Sequence, residues 1–276
     1  WKYSPDLPSY SELKNYNPPL STRVYTSDGV LLDKYYIEER LFVPIDRIPN
    51  ILKNAFISAE DKNFYSHYGF DLFAISRAFV TNIINYINND KRLIGASTIT
   101  QQVVKNMLLT NEVSFERKIK EIILAIRLEI ILSKDKILEL YLNDIYLGYG
   151  SYGVAAASLN YFNKSLNELS LEEAAFLAAL PKAPNNYHPV KKYESAVNRR
   201  NWVIDQMYKN KYILKNHLSK KNTKLIVKDR DLIDLNKAQY FKEEVRKKLN
   251  NLYGNKNLYR DGLIVKTTID TNLQTF

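Results

Sequence analysis

The residues with the most chemistry in them sit together in Ala59-Glu60-Asp61-Lys62-Asn63-Phe64-Tyr65-Ser66-His67-Tyr68-Gly69-Phe70-Asp71. An apolar run at helical spacing (Ile51, Leu52, Ala55, Phe56, Ala59) leads into it and puts Glu60 at the edge of a buried helix face. Phe56, Glu60 and Phe64 are four apart, so a helix that continues would stack the carboxylate between two rings. A carboxylate so flanked is partly desolvated, and desolvation raises its pKa toward the range useful for proton transfer. A helix-end Glu-Asp pair turned to solvent, with His67 an ordinary surface histidine, fits this stretch equally well.

Two later stretches offer cations and hydrogen-bonding groups. In Gly95-Ala96-Ser97-Thr98-Ile99-Thr100-Gln101-Gln102-Val103-Val104-Lys105-Asn106, small and hydroxylated residues precede a helix, whose free N–H groups form a natural anion site. Thr98, Gln102 and Lys105 share one face of it, and Ile99, Val103 and Met107 another. That is a face for phosphate and sugar, or else a plain polar surface. Ser114 can cap the next helix, which begins with Arg117, Lys118 and Glu121 on or beside an isoleucine stripe at 119, 122, 123, 126 and 130. Arg117 and Glu121 can simply pair across one turn. Alternatively, two cations and a carboxylate project into a cleft, as chemistry with a phosphate leaving group requires.

The elements that must position these groups follow from patterning. Residues 1–22 read as an irregular lead-in, and Asp28-Gly29 between β-prone runs signals a hairpin. Leu72 to Ile87 is the most apolar stretch, interrupted by Arg77, Asn82 and Asn85. A core helix is the ordinary expectation for it, and a flap touching a membrane interface the alternative. Lys134 to Asn143 is a further amphipathic helix. Gly148-x-Gly150-x-x-Gly153 spells a dinucleotide fingerprint but follows a helix with no βαβ alternation around it, so it is rejected as a phosphate site. Val154 to Ser158 is a small-residue run suited to tight helix packing, and Ser170 with Glu173 fits a capping box before Ala174–Leu180. Tyr193 to Tyr208 is a helix with Ala196, Val197, Arg200, Val203, Ile204 and Met207 at helical spacing. The composition turns Lys/Asn/Asp-rich from Lys209, then a charged helix (Ala238–Tyr253) and a strand (Leu263–Ile269) follow, which sets a boundary near 210–235.

Composition narrows the chemistry. The 276 residues suffice for a full core, and the net charge of +10 favours an anionic partner. Cysteine is absent and the three histidines, His67, His188 and His217, lie far apart, which argues against thiolate or histidine metal sites. No nucleic-acid motif occurs, and the aromatics are not interleaved with basic runs, so nucleic acid is not the expected partner. There is no signal peptide and no apolar run of transmembrane length. The chain opens at Trp1 and stops at Phe276 inside a strand-like pattern, and both ends read as cuts in a longer protein.

Four of these stretches, in this order, resemble one family: the peptidoglycan glycosyltransferase domain (glycosyltransferase family 51) of class A, bifunctional penicillin-binding proteins. The matching pieces are Glu60-Asp61-x-x-Phe64-x-x-His67-x-Gly69, Gly95-x-Ser97-Thr98-Ile99-Thr100-Gln101-Gln102 with Lys105-Asn106, Arg117-Lys118-x-x-Glu121, and Lys134-x-x-Ile137-Leu138-Glu139-x-Tyr141-Leu142-Asn143. They cover roughly 40–208, and the tail from Gln239 to Asp270 resembles the linker into the family's transpeptidase domain.

The resemblance implies a mainly α, lysozyme-like fold with a short N-terminal hairpin and an apolar jaw, to which Leu72 to Ile94 would belong, dipping into the outer leaflet. It implies a lead-in and hairpin over 1–40, the glycosyltransferase domain over 41–210, and a linker over 211–276 toward a transpeptidase domain, with a membrane helix before Trp1. The implied reaction polymerises lipid II into β-1,4-linked glycan strands, inverting at the sugar and releasing undecaprenyl pyrophosphate. The implied place is the extracytoplasmic face of the bacterial cytoplasmic membrane, within a cell-wall synthesis complex, and moenomycin is the implied inhibitor.

Carried over by residue, Glu60 would be the general base and Glu121 would lie at the donor pyrophosphate, positioning cations or a divalent ion such as Mg2+ or Mn2+; no organic cofactor is implied. Lys105, Arg117 and Lys118 would offset charge on the leaving group. Asp61, Phe64, His67, Gly95, Ser97, Thr98, Gln101, Gln102 and Asn106 would shape the sugar and phosphate sites, while Leu138, Tyr141 and Asn143 support the fold. Two departures stand out. Members often carry an Arg shortly before the Arg-Lys pair, where this chain reads Thr110-Asn111-Glu112-Val113-Ser114. The usual Tyr-Phe-Gly-Lys is Tyr161-Phe162-Asn163-Lys164, which is tolerable because Asn accepts left-handed backbone. A lysozyme-like lytic enzyme is the rival reading, but its acid must stand at a leaving sugar oxygen, whereas Glu121 is embedded among cations. A basic lipid-binding module without turnover is the non-enzymatic rival.

Overall fold

The computed structural model describes residues 20–36, 39–88, 95–109, 114–228, 238–271 and 273. It is mainly helical, with two small sheets. The hairpin is present: β1 (Thr22–Tyr25) pairs antiparallel with β2 (Leu31–Tyr35), turning through Gly29 at φ +87°. A short strand, β3 (Glu39–Arg40), leads toward the helices.

Helix α1 (Asn50–Glu60) starts behind Pro49, whose ring already holds a φ suited to a helix entry, and buries Leu52, Ala55, Phe56 and Ile57. It stops at Glu60, because Asp61 turns to φ −156° and ψ 75°. This corrects one expectation: Phe64 is not one helical turn beyond Glu60, but is buried in the turn that follows. Helix α2 (Leu72–Ile87) is capped by Asp71, whose side chain accepts from the Ala74 N–H.

Helix α3 (Ile99–Leu108) carries a full capping box from Thr98 and Gln101, and α4 (Phe115–Ile131) is capped by Ser114. The buried face of α4 is Glu121, Leu124, Ala125 and Leu128, at 0, 3, 4 and 7 in register. The isoleucine stripe expected to be the core face is instead half-buried, with Ile130 exposed. The fully apolar positions are fewer but sit where α3 and α5 (Lys134–Asp144) pack.

Helix α6 (Val154–Phe162) follows a turn made by Gly148, Gly150 and Gly153, all at positive φ, with β4 (Ser151–Tyr152) inside it and pairing in parallel with β3. Gly153 is required there: a Cβ would stand 2.6 Å from the Asn143 carbonyl oxygen. Asn163 ends α6 at φ 53° and ψ 42°, the left-handed geometry expected of it. Helix α7 (Leu171–Ala179) has the Ser170–Glu173 capping box, and Lys164 Nζ pairs with Glu173 at 2.8 Å.

Helix α8 (Tyr193–Lys209) packs on α7 and α1, and one continuous core runs through Phe56, Ile99, Leu124, Tyr141, Phe176 and Val203. Arg200 is fully buried within this stripe, where its guanidinium donates to the Thr223 and Lys221 carbonyls at 2.8 Å. Those bonds tie 215–223 to the core, on which Leu218 and Leu225 also pack.

A second, smaller core joins the two ends of the described chain. Helix α9 (Gln239–Tyr253), α10 (Asn255–Leu258) and β5 (Ile264–Lys266) return to the hairpin. Strand β5 pairs in parallel with β1, placing Val24 beside Val265, and Leu32, Tyr35, Leu249 and Leu258 close the space beneath.

Candidate active site

A cleft of about 290 Å³ opens between the C-terminus of α1, the inner side of α2, residues 95–98 and one side of α8. Glu60, Asp61, Gly95, Ser97 and Thr98 all reach it, so residues far apart in sequence share one site. Glu60 is partly buried, and its Oε2 accepts from Gln102 Nε2 at 2.9 Å. Burial raises its pKa above the ordinary carboxylate value, against the opposing pull of the Gln102 hydrogen bond and the Arg199 and Lys182 charges. The desolvation expected of Glu60 is therefore present, but α3 and α8 supply the surroundings instead of a Phe56–Phe64 sandwich.

Asp61, Phe64 and His67 form the frame behind Glu60. Asp61 Oδ2 accepts from the Ile99 N–H at 3.0 Å and lies 2.9 Å from His67 Nε2, which fastens the end of α1 to the start of α3. On its other side, His67 Nδ1 is 3.9 Å from Glu129 Oε1, and that carboxylate also takes hydrogen bonds from Thr100 Oγ1 and Lys134 Nζ at 2.6 Å. Lys134 Nζ lies 4.6 Å above the Phe64 ring. The reading of His67 as an ordinary surface histidine does not hold: the ring is a strut between two carboxylates.

Thr98 and Gln101 are largely spent on structure. Thr98 Oγ1 donates to the Gly69 carbonyl at 2.7 Å, and Gln101 Oε1 accepts from the Thr98 N–H at 3.0 Å. Ser97 Oγ accepts from Lys118 Nζ at 2.8 Å, and Gly95 is exposed at the mouth.

Glu121 is 3% exposed and clamped by two cations, with Arg117 Nε at 3.2 Å and Lys118 Nζ at 2.8 Å. The ordinary helix-pair explanation thus holds, and the clamp also faces Ser97 through Lys118. Lys105 is partly buried and Asn106 exposed, and neither makes a hydrogen bond or ion pair among the described residues. The expected gap in positive charge falls at 110–113, which lies outside the described residues, as does the 89–94 end of the expected jaw. A resident divalent ion does not fit the side chains present: Glu121 is one carboxylate between two cations, and the described residues hold no cluster of three metal-ligating groups.

The surface beside the cleft also corrects the expectation of a core helix. Ala78 is the buried residue of α2, while Phe73 is 85%, Phe79 66% and Ile87 72% exposed. Arg77, Ala74 and Thr81 turn toward the cleft instead, so the helix wears its apolar side outward. No described helix is long and apolar enough to cross a membrane.

Several residues escaped sequence reasoning: Lys62 and Arg77 in the cleft, and on α8 Trp202 and Gln206, which line it, with Arg199 stacked on Trp202. The signal for the last three was the side of α8 opposite its apolar stripe, where positions three and four apart align.

The transglycosylase family model matches residues 28–208, which takes in the whole frame around Glu60 and the Arg117–Lys118–Glu121 clamp. The chain belongs to the transglycosylase family. It is similar to penicillin-binding protein 1A of Rickettsia prowazekii (strain Madrid E), 48% identical over 276 residues, covering 99% of this chain and 35% of that protein. Penicillin-binding protein 1A of Neisseria lactamica is 42% identical over 271 residues, 98% of this chain and 33% of that one. The crystal structure of penicillin-binding protein 1A from Haemophilus influenzae matches with a TM-score of 0.50 at 27% identity, over 93% of this chain and 28% of that chain. The chain spans about a third of the length of the curated relatives it matches. The part of the chain that carries the cleft is thus a transglycosylase domain.

Proposed function

We propose that the chain polymerises lipid II into β-1,4-linked glycan strands and releases undecaprenyl pyrophosphate. The observation that carries this reading is the contrast between the two acidic groups. Glu60 is desolvated and held by one amide hydrogen bond, which suits a base, whereas Glu121 is neutralised by Arg117 and Lys118. In the transfer, Glu60 takes the proton from the 4-hydroxyl of the accepting sugar as that oxygen attacks the donor's anomeric carbon. The bond from that carbon to the pyrophosphate oxygen breaks with inversion, and its electron pair leaves on the pyrophosphate. Fixed cations at Lys105, Arg117 and Lys118 stabilise this developing charge without reorganising. Glu121 holds two of those cations in place and so acts as a positioning residue. A glycan-cleaving reaction would need an acid at the leaving sugar oxygen, and an ion-paired Glu121 is poorly suited to supply it.

The exposed apolar side of α2 supports binding at the outer leaflet of the cytoplasmic membrane, where a lipid-linked substrate resides. The longer parent protein would add a membrane anchor and a DD-transpeptidase domain, act within a cell-wall synthesis complex, and be inhibited by moenomycin. The deciding experiment is polymerisation of labelled lipid II in detergent by this chain and by Glu60→Gln. Lysozyme-sensitive strands from the first and none from the second, with moenomycin binding retained in both, support the reading. Digestion of finished peptidoglycan by the chain would overturn it.

A further inference from the structure

The cleft is lined by Glu60 but not by Lys105, Arg117 or Lys118, so part of it lies beside the base and apart from the leaving-group cations. Its wall there is α8, which presents Trp202 and, one turn on, Gln206. Trp202 is 38% exposed and takes no part in the buried stripe of α8, which is made by Ala196, Arg200, Val203, Ile204 and Met207. A large indole left open in a cleft, one turn from an amide, calls for an occupant with an apolar face and a polar rim.

The indole is also backed on one face. The Arg199 guanidinium carbon lies 3.8 Å from the ring centroid, covering one face with a cation–π contact. Arg199 is partly buried, its Nε has no hydrogen-bond partner, and its charge acts on Glu60. The same guanidinium therefore links the ring to the base. A flat surface backed in advance loses little entropy when a ligand settles on it. The ligand chemistry that matches is a hexopyranose: its axial C–H groups make an apolar face, and its hydroxyls lie at the edge, within reach of the rim. The Gln206 amide makes no hydrogen bond among the described residues and is free to meet such an edge.

We propose that Trp202, clamped by Arg199, is a stacking platform for the sugar ring that brings the attacking hydroxyl to Glu60. The inference rests on the transfer reaction proposed above, and it assigns the accepting sugar to the α8 side of the cleft.

The chain has two tryptophans, so a Trp1→Phe background leaves Trp202 as the sole indole emitter. The probe is the N-acetylglucosamine tetramer. The expected result is a saturable blue shift or quench of Trp202 emission, retained in Glu60→Gln, which lacks turnover. In polymerisation assays Trp202→Leu raises the half-saturating lipid II concentration about tenfold with a smaller change in kcat, and Trp202→Tyr restores most of the loss. Flat emission up to about 10 mM tetramer, or a Trp202→Leu variant that loses kcat at unchanged KM, overturns the platform. The emission arm needs no Trp202 variant, so misfolding of one cannot mask the answer. If Glu60→Gln still polymerises, the assignment of Glu60 as the base fails on its own, and if the chain digests finished peptidoglycan the transfer reading fails, while the titration continues to decide whether sugar meets Trp202.

Discussion

Gln102 Nε2 donates to Glu60 Oε2 at 2.9 Å, joining the middle of α3 to the last residue of α1. The bond is possible because Asp61 has already tied the two helices together through the Ile99 N–H. Glu60 is consequently aimed by its neighbours although it stands at a helix end, where side chains are ordinarily free. Burial raises its pKa and the Gln102 amide pulls it back down, so the group is both desolvated and restrained.

Glu60→Gln is expected to lower polymerisation by about 10²–10⁴-fold, the usual contribution of a general base. It should also stabilise the fold at neutral pH. The folded-state pKa of Glu60 is raised, so the native state binds the proton more tightly than the unfolded chain does. Stability therefore falls as pH rises from the unfolded value through the raised folded value, and a neutral amide escapes that loss. Thermal denaturation at pH 7 should show a melting point above that of the parent. A melting point equal to or below that of the parent would contradict this account of the burial.

The pH profile of kcat/KM should lose activity on the acid side at a pH above the ordinary carboxylate range, because Glu60 must be deprotonated to act. Gln102→Leu removes the hydrogen bond that lowers this pKa, and the acid limb should then move to higher pH. A limb that moves down, or stays, would assign the titration to another group.

Glu121→Gln leaves Arg117 and Lys118 without their shared counter-charge. The cations are then less well placed, and kcat should fall by about 10²-fold. Lys118→Ala removes one of them together with its hydrogen bond to Ser97, and should weaken binding of moenomycin. Steady-state kinetics together with moenomycin titration separate the two effects. Wild-type turnover in Glu121→Gln would remove the clamp from the mechanism.

Ser in place of Phe73, Phe79 and Ile87 should lower cosedimentation with phospholipid vesicles while leaving the melting point close to that of the parent. Each of these side chains is largely exposed, so the fold gains little from it, whereas burying one such group in an apolar phase contributes about 1.5–3 kcal/mol. Unchanged vesicle binding by the triple variant would turn attention from α2 to the basic surface.

Gly69→Ala should be strongly destabilising. Gly69 has φ +87°, and an added Cβ would meet the Ala125 carbonyl carbon at 2.7 Å, which is backbone and cannot swing aside. A loss of about 2 kcal/mol or more in denaturant unfolding is expected, and activity should fall with it because Gly69 also anchors Thr98.

The sequence by itself determined the local structure of this protein. The helix carrying Glu60, the cap at Ser114 and the Ser170–Glu173 box follow from interactions within a few residues, which spacing exposes directly, whereas Thr98, read as part of its helix, is the cap before it. The motif residues that line the cleft were legible through the resemblance to the family, since spacing alone left plainer readings open. Tertiary structure decided which faces meet. Periodicity marks α2 as amphipathic, yet only its docking shows that the apolar side faces outward and Arg77 faces the cleft. The isoleucines of α4 are the more numerous apolar set, but α3 and α5 bury Glu121, Leu124, Ala125 and Leu128. The parallel pairing of β1 with β5 joins residues more than 200 apart, and no local pattern encodes it. Arg199 and Trp202 belong to the same class: they look like the ordinary polar side of a helix until α8 packs against α1 and turns them toward Glu60. Burial of a face is a property of two surfaces, and a single sequence shows each surface without its partner.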